Sequence, residues 1–142
     1  MGKMTALLVA LLAGATMAIQ GSLNSVLGKA VGLVQGTLVV HIVGLVTALI
    51  LHFVKPGPIP LKEAPWYTLL GGALGVLIIY AVAVSIPRLG VVSATTAIIV
   101  GQVTTAALVD HFGLFTLEPV PFTWLKALGF VLLVAGGWLM LR

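Results

Sequence analysis

The stretch Tyr67–Val109 reads YTLLGGALGVLIIYAVAVSIPRLGVVSATTAIIVGQVTTAALV, two apolar runs parted only by Pro87-Arg88-Leu89-Gly90. Each run is close to the ~20 mostly apolar residues that a helix needs to cross a bilayer. Four intervening residues leave room for a turn and little else, so the two runs are adjacent antiparallel helices. The rest of the chain has the same character: of 142 residues, 61% are apolar and 7% charged, and mean hydropathy is +1.26. A soluble domain carries roughly 25% charged residues. A water-soluble globule is therefore excluded, and the chain reads as an all-α integral membrane protein.

Working outward, hydropathy marks five spans, at residues 5–28, 33–54, 67–86, 89–109 and 122–141, which use almost the whole chain as one transmembrane domain. Between the second and third lies Lys55-Pro56-Gly57-Pro58-Ile59-Pro60-Leu61-Lys62-Glu63-Ala64-Pro65, whose prolines and charges stop one helix and start the next. Between the fourth and fifth, Asp110 through Pro121 forms a short loop holding Asp110 and Glu118, two of the three acids. The start, Met1-Gly2-Lys3 and an apolar run to Ala18, has the outline of a signal peptide. The run continues through Leu23, Val26 and Leu27, however, and an uncleaved first helix fits better. Trp66, Tyr67, Trp124 and Trp138 all fall at span ends, where aromatic rings favour the headgroup level.

The formal charge of +4 is topological information rather than a nucleic-acid surface, because the charges sit mainly between the apolar runs. The chain has no cysteine, which excludes disulfides, thiol nucleophiles and zinc-thiolate or iron-sulfur sites. No cofactor is expected. Five spans put the termini on opposite sides of the membrane. Lys3, Lys55, Lys62 and Lys126 then fall on one face, and Lys29, Arg88 and Arg142 on the other, four against three. Lys29 and Lys126 lie at helix ends, and discounting both still leaves three against two. A Lys/Arg excess normally fixes orientation, so a near-tie predicts weak orientation or insertion both ways round. Two oppositely inserted copies would form a ten-helix body with inverted symmetry, the arrangement of many secondary transporters.

Polar residues inside the spans give the functional candidates. In the first span Gly14, Ala18, Gly21, Ser25, Gly28 and Gly32 recur at spacings of four and three, a stripe of small residues suited to close helix packing. Beside it Thr16, Gln20 and Asn24 follow at i, i+4, i+8. A carboxamide facing lipid leaves up to four donors and acceptors unpaired at several kcal/mol, so Gln20 and Asn24 must face protein or water. They are either a solute-contacting wall or interhelical glue. The fourth span repeats the design, with Ala94, Ala97, Gly101 and Thr104 as small stripe and Thr95, Gln102 and Thr105 as polar stripe. Gln102 is expected to meet Gln20 or Asn24 across a central cavity. His41 in the second span shares a face with Thr37, Gly44 and Ala48, and Tyr80 lies in the third; both are candidate contacts. No Asp or Glu occurs at mid-span, so proton coupling would fall to His41, Asp110 or His111. Ser22, His41 and Asp110 differ in depth and form no hydrolase triad.

Four motifs in order, Ala18-Ile19-Gln20-Gly21-Ser22-Leu23-Asn24-Ser25-Val26-Leu27-Gly28, Pro87-Arg88-Leu89-Gly90-Val91, Gly101-Gln102-Val103 and Asp110-His111-Phe112-Gly113, resemble the small YdcZ-type branch of the drug/metabolite transporter superfamily. The resemblance implies an inner-membrane protein of five helices, half of the superfamily's usual ten. It implies work as an antiparallel homodimer or beside a similar, oppositely oriented chain, in export of a small solute. Relatives in the small multidrug resistance group carry a glutamate in the first helix, where this chain has Gln20 and Asn24. With neutral amides and no mid-span Lys or Arg, the expected cargo is a polar uncharged or zwitterionic solute, bound at Gln20, Asn24, Gln102, His41, Tyr80 and Thr95. The alternative is a structural or accessory membrane subunit whose polar stripes only join helices.

Overall fold

In the computed structural model, which describes residues 2–116 and 120–142, the chain is all-helical, with no strand among the described residues. The helices are α1 (Lys3–Val31), α2 (Leu33–Val54), α3 (Leu70–Leu89), α4 (Val91–Phe112) and α5 (Trp124–Met140). Among the described residues four segments are long and apolar enough to cross a membrane: α1, α2, Trp66–Leu89 and α4. At 1.5 Å per residue, α5 with 17 residues spans only about 25 Å, shorter than expected. Its start is fixed at the extended Thr123, whose hydroxyl accepts from the Lys126 amide at 3.3 Å and so caps a helix that begins two residues after the expected start of the span.

The helices run further toward one another than the sequence suggested. α1 passes Gly28 to reach Val31, and α3 continues through Pro87 and Arg88 to Leu89. A proline costs a helix the bond to the carbonyl four residues back, yet near a C-terminus little remains to be lost. The expected four-residue turn shrinks to Gly90. Gly32 and Gly90 each join two helices alone, at φ 95°, ψ 149° and φ 82°, ψ 162°. This backbone region is essentially restricted to glycine, and it lets the chain leave one helix and enter the next within one residue. At the other boundary Asp110, His111 and Phe112 are helical, and the loop begins at Gly113, in the left-handed conformation that closes helices. Glu118 lies outside the described residues. Trp66 and Tyr67 form part of a 3-10 turn, Trp66–Leu69, that leads into α3.

The chain divides into two compact units, Met1–Arg88 and Leu89–Arg142. In the first, α1 packs on α2 at two glycines: a Cβ placed on Gly36 would lie 3.2 Å from Gly28 Cα. The same face of α1 meets α3, where a Cβ on Gly21 would lie 3.2 Å from Ile86 Cδ1, and one on Gly28 would lie 3.9 Å from Ala83 Cβ. In the second unit α4 packs on α5 at Gly137, where a Cβ would lie 3.2 Å from Thr96 Cγ2. The best-buried apolar residues are small ones, Ala83 at 3% and Ala94 at 1% exposure, while Leu12, Leu38 and Leu77 stand outside at 68%, 61% and 64%. Small residues inside and large apolar ones outside is the packing logic of lipid, where close backbone approach replaces the hydrophobic drive.

Candidate functional site

In the first unit the polar stripe of α1 splits. Every described residue from Gly2 to Met17 is exposed, and burial begins only at Ala18. Gly14 meets nothing within 4 Å, so the close-packing seam is Gly21, Ser25 and Gly28 rather than the full stripe. Thr16 and Gln20 lie exposed before this packing, and Asn24 lies within it at 8% exposure. Gln20 and Asn24 thus do not share an environment. The reason is the length of α1: it overruns its neighbours in the unit, and only its second half has helices to pack on.

The hydroxyls and the amides behave differently. Thr16, Ser22, Thr37, Thr47 and Ser85 each donate to the carbonyl four residues back, at 2.8 to 3.0 Å. A hydroxyl can satisfy itself on its own helix in this way, and lipid then meets no unpaired donor. Carboxamides are too long and too rich in donors and acceptors to do so. No hydrogen bond forms from the Gln20 or Asn24 side chain among the described residues. Among the described residues no fully covered side-chain nitrogen or oxygen is left without a partner, so the Asn24 amide still reaches an open surface.

His41 and Tyr80, unconnected in sequence, come together. Both line an apolar groove of about 470 Å³ between α2 and α3, with Thr37, Leu38, Val76 and Leu77. The His41 Nδ1–H donates to the Thr37 carbonyl at 2.8 Å; a carbonyl only accepts, so this nitrogen carries the proton. Nε2 is then the other end of the ring. It faces α3, where a Cβ on Gly75 would lie only 3.8 Å away. Glycine at this position keeps the nitrogen uncovered.

In the second unit the expected small stripe of α4 is not the contact. Ala94 is buried, but Ala97 and Gly101 are exposed, and Gly101 meets nothing within 4 Å. α5 instead rests on the neighbouring face: Ser93 Oγ donates to the Met140 carbonyl at 3.4 Å, and Thr96 Oγ1 contacts Met140 Sδ at 3.5 Å. Spacing marked both faces as small or polar, and only the partner helix selected between them. Thr95 is half-buried and, unlike Thr96, Thr104 and Thr105, makes no bond back to its own helix. Gln102 is exposed and likewise unpaired among the described residues.

Gln102 leads to Asp110. The two line one open groove of about 460 Å³ along α4, with Gly101, Thr105, Ala106 and Val109. The spacing i, i+3, i+7, i+8 from Gln102 is one helical face. Asp110 also lines a pocket of about 290 Å³ between α4 and α5, together with Lys126. In the sequence Lys126 was legible only as a topological charge at a helix end; a short connection between antiparallel helices was the signal that it would return near Asp110. His111 is turned elsewhere, into an apolar pocket with Phe122 and Phe130, its ring edge-on to Phe112 at 5.0 Å. The two neighbours in sequence do not form one proton site.

Each unit thus holds polar groups where an apolar chain in lipid has least reason to keep them. Against known families, residues 5–139 match the family model described as "Putative inner membrane exporter, YdcZ". The chain belongs to the YdcZ family. No curated protein matches it and no solved structure does. For a YdcZ chain the apolar exterior of the helices is its lipid-facing surface in the inner membrane, and the family's description supports a transporter role. Trp124 at the start of α5 and Trp138 near its end sit where interfacial anchors belong, and the Arg142 guanidinium stacks on Trp138 at 3.9 Å. Among the described residues no group of three or more His, Cys, Asp and Glu could hold a metal.

Proposed function

We propose that this YdcZ chain is half of a secondary transporter that exports a small polar or zwitterionic solute. Two oppositely inserted copies, or this chain and a similar partner, enclose a midplane path and open it alternately to either side. The observation that carries the reading is the set of unpaired carboxamides. Gln20, Asn24 and Gln102 lie within membrane-spanning helices where the hydroxyls of Thr16, Ser22, Thr96, Thr104 and Thr105 close on their own backbones, and these amides do not. Leaving such groups to lipid costs several kcal/mol each, so they belong to a wetted or solute-filled surface. Neutral donors and acceptors suit a neutral or charge-balanced cargo. His41, Tyr80 and Thr95 add further contacts, and Asp110, His41 and His111 are the proton carriers available for coupling.

The test is flux in proteoliposomes holding the purified chain, loaded with a panel of uncharged and zwitterionic solutes. At least one solute should leave faster than from empty liposomes, and Gln102→Leu should slow that flux tenfold or more while the melting temperature stays put. Equal flux through the Gln102→Leu protein, or none from any solute, would overturn the reading and leave an accessory subunit.

A further inference from the structure

The pocket between α4 and α5 is built around two charges that oppose their own helices. Asp110 lies in the last turn of α4, at the negative end of the helix dipole, and Lys126 lies in the first turn of α5, at the positive end. Each charge is on the end that disfavours it, so each gains from an added charge of opposite sign. They do not satisfy one another. The Lys126 ammonium donates instead to the Pro121 carbonyl at 3.3 Å, and both side chains are exposed. The pocket they share holds about 290 Å³, and its other walls are apolar: Val103, Ala107, Phe122, Phe130 and Leu133. Asp110 is at the same time the end of the groove that runs back along α4 to Gln102.

We propose that this pocket is an amphoteric recognition site that receives an amino-acid-like solute, its ammonium on Asp110, its carboxylate on Lys126 and its apolar side chain against Phe122 and Phe130. A solute with both charges neutralises both helix ends at once, whereas a simple cation or anion serves one and leaves the other. Within the transport reading, on which its purpose rests, the pocket is the mouth of the path. Released from Lys126, the solute moves along the α4 face from Asp110 past Thr105 to Gln102. The site itself needs no transport to be detected.

The purified full chain in lipid nanodiscs is titrated with radiolabelled leucine, in competition with three relatives: 6-aminohexanoate, which separates the same two charges; isopentylamine, which lacks the carboxylate; and 4-methylpentanoate, which lacks the ammonium. Leucine or 6-aminohexanoate should bind at least tenfold tighter than either singly charged relative. Asp110→Asn should weaken the amine-bearing compounds tenfold and spare 4-methylpentanoate, and Lys126→Met should weaken the carboxylate-bearing compounds tenfold and spare isopentylamine. The exchange Asp110→Lys with Lys126→Asp should restore much of the leucine affinity. A variant that merely loosened the loop would weaken all four alike, and that result overturns the proposal. It is equally overturned by isopentylamine binding as tightly as leucine, or by no binding of either amphoteric probe. Binding without flux in proteoliposomes would refute the transport reading and leave the pocket standing. Flux with unaltered selectivity in both single variants would do the opposite.

Discussion

Single side chains in this protein differ by how well they can hide in lipid. A serine or threonine hydroxyl bonds back to its own helix, as at Thr37 and Thr104, and is then nearly as inert as valine. A carboxamide cannot, and that limitation is why Gln20, Asn24 and Gln102 were legible in the sequence as candidates. Their surroundings were not legible, since Asn24 is buried at 8% exposure and Gln20, four residues earlier, is exposed. Glycines differ in the same way. A methyl on Gly36 would press on the Gly28 backbone at 3.2 Å, and one on Gly14 would meet nothing. Gly36→Ala should therefore cost about 1–3 kcal/mol of stability through overpacking. Gly14→Ala should be neutral or stabilise the helix by about 0.5–1 kcal/mol. Denaturant titration of the two variants in mixed micelles checks both; equal effects would mean that α1 and α2 do not meet at this crossing.

At the scale of elements, the surprise is how little joins the helices. Apolar runs and breakers found the five helices, because crossing lipid forces a length and a composition on each. Their ends were less legible: proline and glycine were read as one turn at residues 87–90, although a proline near a C-terminus forfeits little. One glycine makes the connection, and its conformation, not its flexibility, matters. Gly32 sits at φ 95°, where a side chain is strained whatever room surrounds it. Gly32→Ala should cost about 1–3 kcal/mol, offset little by any gain in the unfolded chain. The same unfolding titration reads it, and an unchanged midpoint would show that α1 and α2 can be joined through ordinary backbone angles.

For the whole molecule, orientation is the open physical quantity. Four basic residues against three give a bias too small to decide how the chain inserts. A pair of compartment-specific reporters after Arg142 should give signal on both sides of the membrane. Lys55→Gln with Lys62→Gln, both outside the α-helices, reverses the balance to two against three and should move the reporter signal toward the cytoplasm. Signal on one side in the native chain would sink pairing with itself, and no shift in the variant would show that loop charge does not set insertion. The sequence by itself determined the membrane class, the number of helices and the residue types that lipid cannot accept, because each follows from transfer of local chemistry out of water. Only the tertiary structure decided which small stripe is a seam, that α5 rests on Ser93 and Thr96, that His41 and Tyr80 line one groove, and that Asp110 and Lys126 line one pocket. Those pairings depend on the rotation of one helix against another, and a helix in lipid with several small or polar faces carries no local signal that says which face its neighbour will take.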